Sequence, residues 1–176
     1  MKYLFVSDIH GSLDSTKHII NKFNENHCDK IIILGDILYH GPRNDLPDCY
    51  NPKKVIELLN PLSNSIIAIK GNCDAEVDQM VLNFKIHDNY ILNNDIYLTH
   101  GHHVNYLSPL NNENIKTIIH GHTHIIKVDV IDNKKYINLG SITIPKENTR
   151  RCYAILEENV FSIYDLQDNL LMKVNI

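Results

Sequence analysis

The sequence predicts an α/β protein in which two β-sheets pack face to face, flanked by helices. Three observations carry that reading. Short apolar runs rich in Ile, Val and Tyr recur along the chain, and each stops at a polar cluster. The early runs alternate with segments of helical periodicity. After residue 124 the pattern changes to paired strands with few helices.

KYLFV runs into SDIHGS, KIIIL into GD, SIIAIK into GNCD, DIYL into THGHH, TII into HGHTH and YIN into LGS. Runs of this length and composition suit strands buried on both faces. Residues 12–26 place Leu13, Ile19, Ile20 and Phe23 at helical spacing, with Ser12 as N-cap. Pro52 opens a second helix whose apolar face is Val55, Ile56, Leu58 and Leu59. Residues 74–82 read as a short third helix capped by Asp74. IIKVDVI and YINL then flank DNKK, RCYAILEE and VFSIYDL flank Asn159, and LLMKVNI reads as a last strand. With no repeat, low-complexity tract or linker, one domain over residues 1–176 is expected.

A chain of 176 residues can bury a substantial core. A net charge of −4 and a pI near 6.2 argue against a protein that coats nucleic acid. No apolar run approaches the roughly 18 residues that span a membrane. The N-terminal apolar run meets Asp8 and His10 at once, unlike a signal peptide, so a cytoplasmic location is expected. Cys28, Cys49, Cys73 and Cys152 form neither a CxxC pair nor a zinc-ribbon spacing, which fits reduced thiols.

In an open α/β sheet, the loops at the carboxyl ends of the strands meet in one crevice. Asp8, His10, Asp36, Asn72, His100, His122 and His124 follow such runs and are expected to converge there. Gly11, Gly35, Gly71, Gly101 and Gly121 stand beside them, where tight turns or close backbone approach need no Cβ. Alone, each piece is ordinary: a turn, a helix start, a hydrogen-bonded histidine. Together they are not. His10, His100, His102, His103, His120, His122 and His124 put seven of the 11 histidines into three strand-end motifs. A solvated histidine-rich face does not need strands aimed at it. Carboxylate, imidazole and amide oxygen without thiolate suit manganese, iron, nickel, cobalt or zinc.

The ordered series D-x-H, G-D, G-N-x-D, H-G-H and G-H-x-H resembles the calcineurin-like metallophosphoesterases. GDILYHGPRNDLPDCYNPKKV, GNCDAEVDQM, LTHGHH, GHTH and NLGSITIPK are similar to the YfcE-like phosphodiesterases of that superfamily, over nearly the whole chain. The resemblance implies a four-layer α-β-β-α sandwich of two mixed sheets flanked by helices. It implies two divalent metal ions, with manganese as the metal. Asp8, His10, Asp36 and His124 would hold one ion; Asp36, Asn72, His100 and His122 would hold the other, with Asp36 bridging. It further implies hydrolysis of a small phosphodiester by a metal-bridging hydroxide, and a homo-oligomer. Such a pair generates hydroxide near neutral pH and stabilises both attacking and leaving oxygens.

Other residues carry two readings each. Many relatives place His after the ligand Asn, whereas this chain and the YfcE-like branch place Cys73. It either protonates the leaving group, unusual for a thiol of pKa about 8.5, or fills space beside the metals. His102 either contacts the substrate phosphate or orients a ligand through a hydrogen bond. His103 and His120 read as peripheral. Arg43 either clamps phosphate or fixes its loop by an ion pair with Asp45 or Asp48, and His40 shares that loop and that choice. Asn138 and Ser141 close a turn near the site. The rival to an enzyme is a metal-binding interaction scaffold, since a eukaryotic retromer subunit shares the family's fold with a degraded metal site. All seven expected ligands are present here, which argues against decay. A nuclease is disfavoured, because the chain has no capping domain, basic stripe or aromatic platform for strands.

Overall fold

The computed structural model describes residues 1–176. Three helices lie in the first half of the chain: α1 (Leu13–Glu25), α2 (Pro52–Leu59) and α3 (Glu76–Val81). Between and after them run β1 (Tyr3–Val6), β2 (Lys30–Ile33), β3 (Ile66–Ile69), β4 (Ile86–His87), β5 (Tyr90–Leu92) and β6 (Ile96–Leu98). β7 (Thr117–His120), β8 (Ile126–Ile131), β9 (Lys134–Leu139), β10 (Cys152–Glu157), β11 (Val160–Asp165) and β12 (Leu170–Asn175) complete the set. They form two mixed sheets, ordered β12-β11-β10-β1-β2-β3-β4 and β5-β6-β7-β9-β8. β1 to β4 run parallel, and β10 returns antiparallel against β1. In the second sheet β6, β7 and β9 are parallel.

The two-residue period of a strand explains the layers. Leu4, Val6, Ile31, Ile33 and Ala68 pack on Ile19 of α1 and on Val55 and Leu59 of α2. Their alternates Phe5, Ile32 and Ile69 face the second sheet and meet Leu98, Ile119, Ile137 and Leu139. Each such side chain, fully buried, contributes about 1.5–3 kcal/mol. Ser12 caps α1, accepting from the Ser15 N–H, and Asn51 caps α2, accepting from the Lys54 N–H.

The far face of the second sheet carries Ile118 and Tyr136, covered by Ile115, Tyr106 and Leu110. The covering segment, 101–116, contains no helix. Its asparagines explain why: Asn105 accepts from the Leu107 and Ser108 N–H groups, and Asn112 from that of Asn114. These local turns compete with helical bonding, so the outer layer here is coil.

β4 and β5 were not legible in the sequence, being too short to show a period. The first hairpin turn is tighter than expected, and the second takes in Glu158 as well as Asn159. Asp132-Asn133 and Glu158-Asn159 both sit at positive φ, as two-residue type I′ turns require, so Lys134 and Lys135 belong to β9. Asp74 does not cap α3. Ala75 precedes that helix, and its N–H donates to Asp78. No helix is long and apolar enough to cross a membrane.

Asp165, with 1% of its side chain exposed, organises the turn between β11 and β12. It accepts from the Asn169 side chain, from the N–H groups of Asn169 and Gln167, and from Arg150 at 2.6 Å. The Asn169 amide foremost, these bonds hold its carboxyl at about 2 despite the opposing effect of burial. That lies below the unfolded value of about 3.9, so its contribution to stability is complete above roughly pH 4 and is lost as pH falls through the folded value. Asp165→Asn should therefore lower the Tm at pH 7 and flatten its fall between about pH 4 and pH 2. Thermal melts followed by circular dichroism across that window check this; an unchanged slope contradicts it.

Candidate metal centre

The carboxyl ends of β1, β2 and β3 in one sheet and of β6 and β7 in the other open onto one place. Asp8 and His10 leave β1, Asp36 leaves β2, Asn72 leaves β3, His100 leaves β6, and His122 and His124 leave β7. The chain turns sharply there. Asp8, His10, Asp36, His122 and His124 sit at φ 57°, 50°, 54°, 74° and 62°. Left-handed backbone at a non-glycine residue costs of the order of 1–3 kcal/mol and persists where its surroundings enforce it. Close approach accounts for the glycines. A Cβ on Gly71 would collide with the Asp36 carboxylate, and one on Gly121 with Ser7 and Asp8.

Each buried side chain has one polar atom tied down and one left over. His10 Nδ1 donates to the Tyr39 carbonyl at 2.8 Å, His100 Nδ1 to Leu34 at 2.6 Å and His124 Nδ1 to Ile144 at 2.6 Å. A carbonyl only accepts, so Nδ1 carries the proton and Nε2 faces inward. Asp8 Oδ2 accepts from Ser7 Oγ at 2.6 Å and from the His122 N–H at 3.1 Å, while its Oδ1 has no hydrogen-bond partner. Asp36 Oδ1 accepts from the Cys73 N–H at 2.8 Å.

The leftover atoms converge. Asp8 Oδ1 lies 3.2 Å from His124 Nε2, 3.7 Å from His10 Nε2 and 3.9 Å from His100 Nε2. Asp36 Oδ2 stands between the two halves, 3.7 Å from His10 Nε2 and 3.5 Å from His100 Nε2. His10 and His124 present their Nε2 atoms to each other at 3.3 Å, and His100 Nε2 faces Asn72 Oδ1 at 3.1 Å. Lone pairs facing lone pairs repel unless a proton or a metal cation lies between them. Asp8, His10 and His124 have ligand atoms within 4.8 Å of one another, as do Asp8, Asp36 and His100. The donor set, its burial and the orphaned Asp8 oxygen all fit divalent ions.

The electrostatics follow. Burial raises Asp8, but the imidazoles of His10, His124 and His100 that face it outweigh this and hold the carboxyl well below its usual range. Burial lowers His100, but Asp36 and Asp8 push it up to about 9. Burial raises Asp36, and His100 brings it down.

Further residues position this cluster, two of them in roles the sequence does not show. Asp74 accepts from the N–H groups of Asp36 and Ile37 at 2.8 Å and of Gly71 at 2.7 Å, clamping the loop after β2 to the loop after β3. Ser141 donates to the Asp8 carbonyl at 3.0 Å and accepts from Thr143 and Ile144, the residue that holds His124. Asn138 donates to Thr123 and closes its turn onto Gly140, as expected.

The other expected residues divide. Asn72, His122 and Arg43 line a cleft of about 480 Å³ with Asp36, Cys73 and His124, and Arg43 makes no ion pair with Asp45 or Asp48. His40 does not line it; its ring packs between Tyr39 and Tyr50, at centroid distances of 4.7 and 5.3 Å. His102 forms no hydrogen bond to a ligand; its Nδ1 has no partner and its ring rests on His103 at 4.0 Å and on His100 at 5.4 Å. Cys73 Sγ lies among the His10 and Asp36 ligand atoms. Burial and then Asp36 push its thiol up to about 12. His120 bonds its own loop through the Gly121 carbonyl and stays peripheral.

Residues 1–159 match the model of the calcineurin-like phosphoesterase superfamily domain. The chain is a calcineurin-like phosphoesterase. This phosphoesterase is 39% identical to the phosphodiesterase YfcE of Escherichia coli K12 over 98% of its own length and 96% of that protein. The solved E. coli YfcE structure superposes with a TM-score of 0.92 at 38% identity, covering both chains completely. The probable metallophosphoesterase YsnB of Bacillus subtilis is 30% identical over 89% of this chain and 83% of its own. Vps29 from Entamoeba histolytica, solved in complex with zinc, shares the fold at a TM-score of 0.64 and 20% identity, over 99% of each chain. The phosphoesterase is thus a hydrolytic enzyme from a family that uses divalent metal ions.

Asp74→Ala would leave three buried backbone N–H groups unpaired, each costing about 1–3 kcal/mol. The variant should lose roughly 3 kcal/mol or more of stability and bind divalent metal more weakly. Urea denaturation and metal analysis check this; a loss below about 1 kcal/mol with full metal loading contradicts the clamp.

Proposed function

We propose that this phosphoesterase hydrolyses a small phosphodiester at a binuclear divalent metal centre. The observation that carries the reading is the convergence of the inward-facing atoms of Asp8, Asp36, His10, His100 and His124, each with its other polar atom already tied to the fold. Asp8, His10, Asp36 and His124 would hold one ion. Asp36, Asn72, His100 and His122 would hold the other, with Asp36 shared; its Oδ2 stands nearly equidistant from His10 and His100, which supports that role. Manganese is the metal we assign, on the likeness to YfcE and the oxygen and nitrogen donors.

When bound, two such ions supply a nucleophile at neutral pH and polarise the phosphoryl oxygens. The chain's own residues do the rest. Carbonyls of Tyr39, Leu34 and Ile144 fix the imidazole tautomers. The burial of Asp8, His10 and His100 keeps bulk water from competing at the floor, while exposed Asn72 and partly exposed His122 face the open cleft. Arg43 lines that cleft and is placed to meet the diester. Cys73 fills space beside the ions. The same reading comprises one domain over residues 1–176, a cytoplasmic location consistent with four free thiols, and a dimer or larger assembly.

Asp36→Asn should abolish both turnover of bis(para-nitrophenyl) phosphate and manganese loading, with the fold retained by circular dichroism. Near-normal activity overturns the shared-aspartate assignment. Tight metal binding by the parent chain with no hydrolysis of diesters or monoesters favours the interaction scaffold instead.

A further inference from the structure

Two cations reach the cleft without taking part in the buried cluster. Arg43 comes from the loop after β2 and Lys146 from the segment between β9 and β10. The Lys146 N–H donates to the His124 carbonyl at 3.0 Å, which pins its backbone beside the centre. Both side chains are exposed, and neither forms an ion pair with a carboxylate. The carboxylates lining the same cleft, Asp36 and Asp74, are in its floor at 2% and 6% exposure, and Asp74 is occupied by three backbone N–H groups. No exposed carboxylate lines the cleft beside these two cations, on a protein of net charge −4. A plain phosphodiester carries one negative charge, which the divalent centre already answers. Even with Arg43 turned to the diester, Lys146 leaves the lip able to answer a second negative charge.

We propose that the cleft prefers phosphodiesters whose uncleaved arm ends in a second anionic group, received by Lys146 together with Arg43. This deepens the phosphodiesterase reading and rests on it. Exposed charge pairs are weak one by one, so the expected selectivity is modest, roughly tenfold for two cations, and is screened by salt.

The test uses two para-nitrophenyl alkyl phosphodiesters of equal arm length, one ending in a carboxylate and the other in the primary amide. The bond broken is the same in both, so the ratio of their kcat/KM values reads only the arm. With the manganese-loaded protein at low ionic strength the ratio should be about 10 in favour of the carboxylate. It should fall towards 1 in about 0.5 M potassium chloride and in Lys146→Met, and invert in Lys146→Glu with Arg43→Met. A ratio near 1 in the parent protein, or one that survives the double change, overturns the proposal. Phosphonate analogues of the same two arms, which are not hydrolysed, give the ratio of Kd values by calorimetry. If neither diester is turned over but the phosphonates keep a Lys146-dependent preference, the phosphodiesterase reading fails and the anion-receiving lip stands. Equal phosphonate binding sinks the lip.

Discussion

The site is organised by one constraint: buried acceptors that face each other. Asp8, His10 and His100 are completely buried, and His124 and Asp36 nearly so. Inside a protein, where the effective dielectric is far below that of water, an unpaired carboxylate oxygen or lone pair is costly. Folding would ordinarily place a donor between such atoms. Here the donors are spent elsewhere, on Nδ1 contacts with carbonyls and on the outer carboxylate oxygens. What remains is a pocket of electron pairs that only positive charge can neutralise. Protons do this partially, as the raised His100 shows; divalent cations do it fully.

The rest of the fold reads as the means of holding that arrangement. Two sheets are needed because the clustered side chains come from both: Asp8, Asp36 and Asn72 from the parallel strands of one, His100, His122 and His124 from those of the other. Glycine at positions 71 and 121 lets loops from different strands touch where a Cβ would collide with a carboxylate. The left-handed turns at Asp8, His10, Asp36, His122 and His124 cost stability locally. The two hydrophobic layers, and clamps such as Asp74 and Ser141, offset that cost. Rigidity of this kind suits a centre whose ligands must keep their places while substrate comes and goes through an open cleft.

Much of this was legible in the sequence because the clustered polar residues sit at strand ends, where an apolar run announces the strand and the candidate residue follows within a few positions. That logic placed Asp8, Asp36, His100 and His122 without knowledge of the loops. It failed where the partner is backbone. Asp74 looked like a helix cap because it precedes a helical stretch, yet its three donors come from loops whose approach no periodicity reports. Ser141 looked like a turn residue, and its link to Asp8 spans most of the chain. His40 and Arg43 share a loop, but one ring turns into an aromatic stack while the other side chain reaches the cleft. The missing outer helix has a plain cause in asparagine turns. Lys146 ends the NLGSITIPK stretch, but nothing in that stretch places it at the cleft; its contact with His124 does.

The central claim is that the inward-facing atoms around Asp36 form one centre for two cations. Anomalous diffraction from crystals of the manganese-loaded protein tests it most directly. Two manganese peaks per chain are expected, one bounded by Asp8, His10 and His124, the other by Asn72, His100 and His122, with the Asp36 carboxylate touching both. A single peak, or a pair that Asp36 does not join, would contradict it.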